Sequence, residues 1–268
     1  VAKKTSSRTN AELVESKIKR ASELKSHERF LIYAISGAGK TRLSATLPKP
    51  LIIDVNEKGT GSTRRDIDPH VYPVDYWQEI NEIYWYLQAG EHDFESWVLD
   101  GVTAMQTLCL NFVLGDEASR DASRDPDMPS RQSWGKTGQL MKTQITNFRN
   151  LPMNGCFTAL TRTNTSGDED DDMGETTIGP AVSPSVAGHL EAAVDTIGYL
   201  FTREVVVKNK KGDKRKVTRR RLTVGPSAKY VTKDRNGLFG EFIDSPDLSK
   251  MLEVIHGDEE EATDGQEV

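Results

Sequence analysis

An α/β domain built on a mainly parallel central sheet, with helices on both faces, is the architecture the sequence predicts. Short apolar runs at Phe30–Ile35, Leu51–Asp54, Ser96–Asp100 and Gly155–Thr161 alternate with segments of helical periodicity. The first run leads straight into a small-residue turn, Ser36-Gly37-Ala38-Gly39-Lys40-Thr41, with a helical stretch behind it. The third run, Trp97-Val98-Leu99-Asp100, ends on a carboxylate. Ligands of such sheets bind at the carboxyl ends of the strands, where both features fall.

Element by element, Val14, Ile18 and Ala21 form one apolar stripe, flanked by Leu13 and Leu24, and predict an amphipathic helix over Ala11–Ser26. Arg42–Leu47 reads as helix and is stopped by Pro48 and Pro50. Trp77–Gln88 is helical, and Val102, Met105, Leu108, Phe112 and Val113 recur at helical spacing. Residues 115–133, with the tandem Ala118-Ser-Arg-Asp and Ala122-Ser-Arg-Asp, read as a long polar loop. A helix over Ser133–Asn150 follows. Residues 162–180, with the acid run Asp168–Asp172, read as a second loop. The acid run lacks the spacing and turn glycine of an EF-hand and reads as solvated. After a helix over Ala187–Val194, two strands flank Lys211-Gly212-Asp213 and make a C-terminal basic β-hairpin. The last helix is Asp247–His256. The chain divides into a basic arm with its amphipathic helix (1–27), a core (28–256) and an acidic tail expected to be disordered (257–268).

At 268 residues, 36% hydrophobic and 28% charged, the chain is long enough for one large domain with appendages. No apolar run approaches the ~18 residues of a membrane helix, and no membrane partner is expected. The N-terminal stretch lacks the apolar segment of a secretory signal. Cys109 and Cys156 stand apart from any C-x-x-C spacing and read as buried thiols of a cytoplasmic protein. The five His residues have no ligand spacing. The net charge of −6 hides segregation: residues 203–221 carry ten Lys or Arg against Glu204 and Asp213, whereas 256–268 carry acid and no Lys or Arg. Such a ribbon suits a polyanion.

The glycine turn has the chemistry of a phosphate-binding loop. Ser36, Gly37, Ala38, Gly39, Lys40, Thr41 and Arg42 are the candidate nucleotide-binding residues. Backbone N–H groups wrap phosphate oxygens, Lys40 reaches the terminal phosphates and the Thr41 hydroxyl ligates Mg²⁺. Ala34 replaces the first glycine of G-x-x-x-x-G-K-[ST], which is tolerable if its φ is negative. Asp100 is the partner of Thr41 on the metal. Gly101 occupies the position where many motor ATPases carry a catalytic Glu, so Glu57, after the second strand, is the candidate catalytic carboxylate beside Lys40. This placement resembles the RecA-like class of P-loop NTPases.

Further segments widen the resemblance. KPLIIDVNEKG, WVLDGVTAM, SWGKTGQLMKTQITNFRNLP, FTALTRT, HLEAAVDTIGYLF and KYVTKDRNGLFGEFIDSPDLSKMLE together look like the phage-encoded RecA-like ATPases of the Sak-type single-strand annealing group, over residues 28–255. The resemblance implies an ATP- and Mg²⁺-dependent core that self-associates as a ring or filament on single-stranded DNA. It also implies promotion of annealing or recombination in phage replication, with a single-strand-binding or replication protein as a further partner. It suggests Lys229, Lys233 and Arg235 as cations sent to a neighbour's ATP, with Arg162 as an alternative. Leu160 departs from the group's polar γ-phosphate sensor, and with Ala34 fits slow hydrolysis.

For DNA, the loop 162–180 is too acidic at its tip, and 115–133 carries Arg120, Arg124 and Arg131 among acids. The hairpin cations Lys208, Lys210, Lys211, Lys214, Arg215, Lys216, Arg219, Arg220 and Arg221 are the better candidates. No aromatic residue lies among them, so binding there would be blind to sequence. Two other functions fit the same loop: a nucleotide switch that recruits replication proteins, and a small-molecule phosphotransferase, for which the hairpin makes a poor lid.

Overall fold

The structure, a computed structural model, describes residues 14–20, 23, 27–121, 123, 125, 127–166, 175–208 and 214–257. Its strands are β1 (Arg29–Ala34), β2 (Pro50–Asp54), β3 (His70–Pro73), β4 (Ser96–Asp100), β5 (Asn154–Ser166), β6 (Glu175–Pro180), β7 (Thr196–Lys208), β8 (Lys214–Thr223), β9 (Lys233–Asp234) and β10 (Phe242–Asp244). The helices are α1 (Lys40–Ser44), α2 (Trp77–Ala89), α3 (Val102–Arg120), α4 (Arg131–Arg149), α5 (Pro184–Ala193) and α6 (Leu248–His256).

One sheet runs in the order β10-β8-β7-β1-β5-β4-β2-β3, with β6 beside β5 and β9 beside β7. From β7 to β3 every neighbouring pair is parallel. Strands buried on both faces carry near-continuous apolar runs, and Arg29–Ala34 is buried throughout. Helices α2 to α5 cover one face through Ile80, Met105, Ile145 and Leu190. Helices α1 and α6 cover the other through Leu43, Met251 and Leu252. The two free thiols fall in opposite layers and are buried. Burial raises the Cys109 thiol to about 12.

The helix ends follow local chemistry. Glu79 accepts from the Asp75 and Tyr76 N–H groups (2.7 and 2.9 Å) at the start of α2. Pro184 opens α5, where its missing N–H costs nothing. Asp247 caps α6 on Ser249 and Lys250.

Three expectations change. Helix α3 continues to Arg120, and 115–120 is not loop. Its buried Glu117 accepts from Ser133 Oγ (2.8 Å) and Lys136 Nζ (2.7 Å), which ties the end of α3 to the start of α4. The second loop is largely a hairpin: β5 runs on to Ser166 and pairs with β6, while its acidic tip, 168–172, lies outside the described residues. In the N-terminal arm, Val14 and Glu15 are helical but Ile18 to Arg20 are not, and Val14 and Ile18 are exposed (60% and 72%). Among the described residues nothing covers Val14 and Ile18, so burial of these two adds nothing to a helix here. The rest of that arm and the acidic tail lie outside the described residues.

The register makes two arms. Ala34 pairs with Leu160, and β5 runs six residues further, about 20 Å at ~3.3 Å per residue. On the other side Tyr33 pairs with Tyr199, and β7 runs nine residues further. The glycine turn after β1 therefore lies between two projecting hairpins, β5–β6 and β7–β8.

Trp97 is the largest fully buried side chain and meets the Phe148 and Phe157 rings edge-on (5.3 and 4.8 Å). Trp97→Ala is expected to cost about 3–5 kcal/mol in a urea unfolding series. A cost under about 1 kcal/mol would contradict the packing.

Candidate nucleotide-binding site

The turn between β1 and α1 needs two left-handed residues, and glycine supplies both: Gly37 at φ 79° and Gly39 at φ 103°. Ala34, the last residue of β1, is paired, buried and not left-handed, so its methyl is accommodated. Lys40 starts α1 with its side chain folded back to the Ile35 carbonyl (3.5 Å) and only 6% of the residue exposed. Burial lowers its pKa, and the Glu57 and Asp100 carboxylates oppose that shift.

Asp100, at the end of β4, is 1% exposed. Its Oδ2 accepts from Thr41 Oγ1 at 2.6 Å, and its Oδ1 accepts from the Thr158 hydroxyl on β5. A hydroxyl and a carboxylate brought together from loop and strand are hard oxygen donors. They suit a Mg²⁺ ion that takes its other ligands from water and phosphate. Among the described residues no group of three His, Cys, Asp or Glu is placed to hold a metal alone.

Glu57 comes from the turn after β2. Asp54 Oδ1 accepts from the N–H groups of Glu57 and Lys58 (2.9 and 3.0 Å), and Asn56 and Lys58 take left-handed φ values of 60° and 50°. This turn delivers the carboxylate to Gly101. A Cβ at Gly101 would lie 2.9 Å from Glu57 Oε1, so the missing side chain after Asp100 is the space Glu57 fills. Burial raises the Glu57 pKa; Lys40 opposes it, and Asp100 and Asp54 add to it. The arrangement gathers a buried cation, a glycine loop, a metal-type oxygen pair and a carboxylate of raised proton affinity at one end of the sheet.

The family model described as AAA domain matches residues 26–236. The chain belongs to the AAA domain family. Its strand order, with β5 between loop strand and metal strand and with the Glu57 strand beside the latter, is that of a RecA-like P-loop NTPase. Among solved structures, a KaiC-like protein, PH0186, from the hyperthermophilic archaeon Pyrococcus horikoshii OT3 is similar at 11% identity and a TM-score of 0.41, over 82% of this chain and 89% of that one. No curated protein sequence matches the chain.

Several candidates sit elsewhere than the sequence implies. Arg42 is turned away from the loop, to Asp66 and the Ser62 carbonyl. Lys233 donates to the Glu191 and Val194 carbonyls (3.0 and 2.6 Å), where it satisfies the end of α5 and is not free to reach a neighbour. Arg235 pairs with Asp195 at 2.5 Å. Lys229 is exposed, 5.5 Å from the Tyr230 ring centre.

The hairpin cations do not form one ribbon. Strand alternation puts Lys216 and Arg220 on one face, and Arg215, Arg219 and Arg221 on the other. Arg221 is spent in a two-bond fork on Asp244 (2.7 and 2.8 Å), with its guanidinium over Phe242. Arg220 donates to the Ala38 carbonyl at 3.0 Å, on the glycine loop itself. Arg215, Lys216 and Arg219 remain exposed, Lys216 beside Glu204 at 3.2 Å. Lys210 and Lys211 lie outside the described residues, as do the side chains of Lys208 and Lys214.

Thr158 and Asp54 were missed by sequence reasoning. The spacing Asp54-x-x-Glu57 is a turn signature that could have flagged the second. A cavity of about 860 Å³ lined by Pro50, His70, His92 and Phe94 opens at the amino ends of β2 and β3, remote from this chemistry.

The raised Glu57 pKa fixes a sign. Glu57 acts as a base only when deprotonated, so NTP turnover should fall on acidification at a pH above the ordinary Glu value of ~4.3. Glu57→Gln should remove that limb along with most of the turnover. Gly101→Ala should displace the carboxylate and slow turnover by about tenfold or more while Mg²⁺·ATP still binds. A pH–rate profile of the three proteins checks both, and an unmoved limb in Glu57→Gln would contradict the assignment.

Proposed function

We propose that this AAA domain protein is an ATPase that works on single-stranded DNA, assembling on it and promoting strand annealing in phage recombination. The observation that carries the reading is the convergence of Lys40, Thr41, Asp100 and Glu57 at the mouth of the loop, between the two projecting arms. The loop N–H groups and Lys40 hold and orient the triphosphate. Thr41 and Asp100 would hold Mg²⁺, which would supply charge neutralisation for the phosphoryl oxygens. Glu57 orients water and takes its proton, in a pocket whose burial raises its affinity for that proton.

The DNA reading is supported by the basic arm and by the resemblance to the Sak-type annealing group. Arg215, Lys216 and Arg219 are the described exposed cations on that arm, and neighbouring lysines extend it in sequence. Of Lys229, Lys233 and Arg235, Lys229 stays a candidate for a cation offered to a neighbour's nucleotide in a ring or filament, since the other two are engaged within the chain; Arg162 is the alternative. A single-strand-binding or replication protein is a further partner on this reading, in the host cytoplasm. No helix among the described residues is long and apolar enough to cross a membrane.

One observation favours a slower relative of this activity, a nucleotide switch. Leu160, level with Ala34 in the sheet, places an apolar side chain where the resemblance calls for a polar γ-phosphate sensor. ATP hydrolysis with and without single-stranded DNA across a salt series separates the two. The ATPase reading predicts DNA stimulation that disappears in Lys40→Ala, and DNA affinity whose log–log salt slope shrinks by about 0.7 for each of Arg215 and Arg219 replaced by Ala. Tight ATP binding without DNA-stimulated turnover would overturn it in favour of the switch.

A further inference from the structure

Arg220 does not belong to the polyanion-facing set. It lies on β8 opposite Thr202, two pairs beyond and on the same face as Leu200 and Leu222, which are fully buried against the α1 side of the sheet. Its own carbonyl accepts from the Ser245 N–H at 2.8 Å. A strand position held on both sides presents its side chain from a fixed base. That side chain is half-buried, and its Nε reaches the Ala38 carbonyl at 3.0 Å. The guanidinium lies against Gly39 so closely that a Cβ there would meet Nε at 2.3 Å, and Cζ and Nη2 at 3.0 Å. Gly39 is required by its φ of 103°, and a side chain there would also displace the Arg220 guanidinium.

The contact has a consequence for the loop. In a trans peptide the C=O and the following N–H point in opposite directions. An Ala38 carbonyl pulled toward the hairpin turns the Gly39 N–H the other way, and no described group accepts that N–H. A buried or loop N–H without a partner is the group an anion satisfies. The fixed positive charge behind the same peptide adds attraction for a triphosphate.

We infer that Arg220 is a positioning residue of the nucleotide site: the β7–β8 arm clamps the Ala38–Gly39 peptide in its phosphate-accepting orientation. The inference rests on the reading of the loop as an ATP site. It makes the base of the basic arm part of that site, and leaves DNA to the cations further out and on the opposite face.

The test is direct titration of Mg²⁺·ATP into the full chain and its variants, with the thermal midpoint measured without nucleotide. Arg220→Ala should weaken ATP binding about tenfold, the scale of one lost charged hydrogen bond. Arg220→Lys, which keeps one donor, should recover part of the loss. Arg203→Ala removes the same charge from the opposite face of the same arm, where Arg203 pairs with Asp244, and should stay within about twofold of the parent. A merely structural role would lower the midpoint without nucleotide; a positioning role leaves it close to the parent and moves the ATP affinity. The inference is overturned if Arg220→Ala binds ATP as the parent does, or weakens it no more than Arg203→Ala. Should Arg220→Ala not fold, the clamp is read from the other two variants: Arg220→Gln must bind ATP more weakly than Arg220→Lys, and equal affinities in the two overturn it. Lys40→Ala is the separate check: if it leaves ATP affinity intact, the nucleotide reading fails and the clamp with it.

Discussion

Everything at the carboxyl edge of the sheet is organised around one buried carboxylate. A charge as sheltered as that of Asp100 persists only if its oxygens are satisfied. Thr41 satisfies one oxygen from the start of α1 and Thr158 the other from β5. Those two hydroxyls tie the glycine loop and the neighbouring strand to the metal strand. Asp100 also raises the proton affinity of Glu57 and supports the charge on Lys40. One group thus couples the position of the loop, the ionisation of the candidate base and the charge of Lys40.

The second constraint is the turn from Asp54 to Lys58. Two backbone bonds to Asp54 and two left-handed residues spend conformational freedom to bring Glu57 over Gly101. The position adjacent to Asp100 in sequence is Gly101 and offers no carboxylate. A carboxylate from β2 arrives from the neighbouring strand instead, and β2 is hydrogen-bonded to β4 along its length. Parallel register therefore stands in for sequence adjacency. The same logic applies to the arms: β5 and β7 are the two neighbours of β1, so their extensions must flank whatever the loop binds.

Much of this is visible in the sequence because it depends on local chemistry. Glycines with an apolar run before them and a helix behind them specify the loop, and four-residue apolar runs specify β2 and β4. What was hidden depends on pairing. Strand β3, His70–Pro73, is an exposed edge with no apolar alternation to announce it. Helix α3 runs into the start of the polar repeat, as far as Arg120, because Glu117 finds partners 16 and 19 residues away. The stripe of Val14 and Ile18 has helical spacing, yet among the described residues nothing covers it. Runs of Lys and Arg look like one surface in sequence, yet alternation sends Arg220 to the loop and Arg221 to Asp244. Charge count was legible in the string, and charge placement was not.

The most direct test of the central claim is the Mg²⁺ dependence of ATP binding in Asp100→Asn, by calorimetry with and without the metal. The amide keeps one oxygen for the threonine hydroxyls and removes the negative charge. If Asp100 is the metal's anchor, the parent binds ATP far more tightly with Mg²⁺, and the variant keeps its metal-free affinity but loses most of that gain. An unchanged Mg²⁺ effect in Asp100→Asn would mean that the carboxylate only braces the strands, and that the metal is held by other groups.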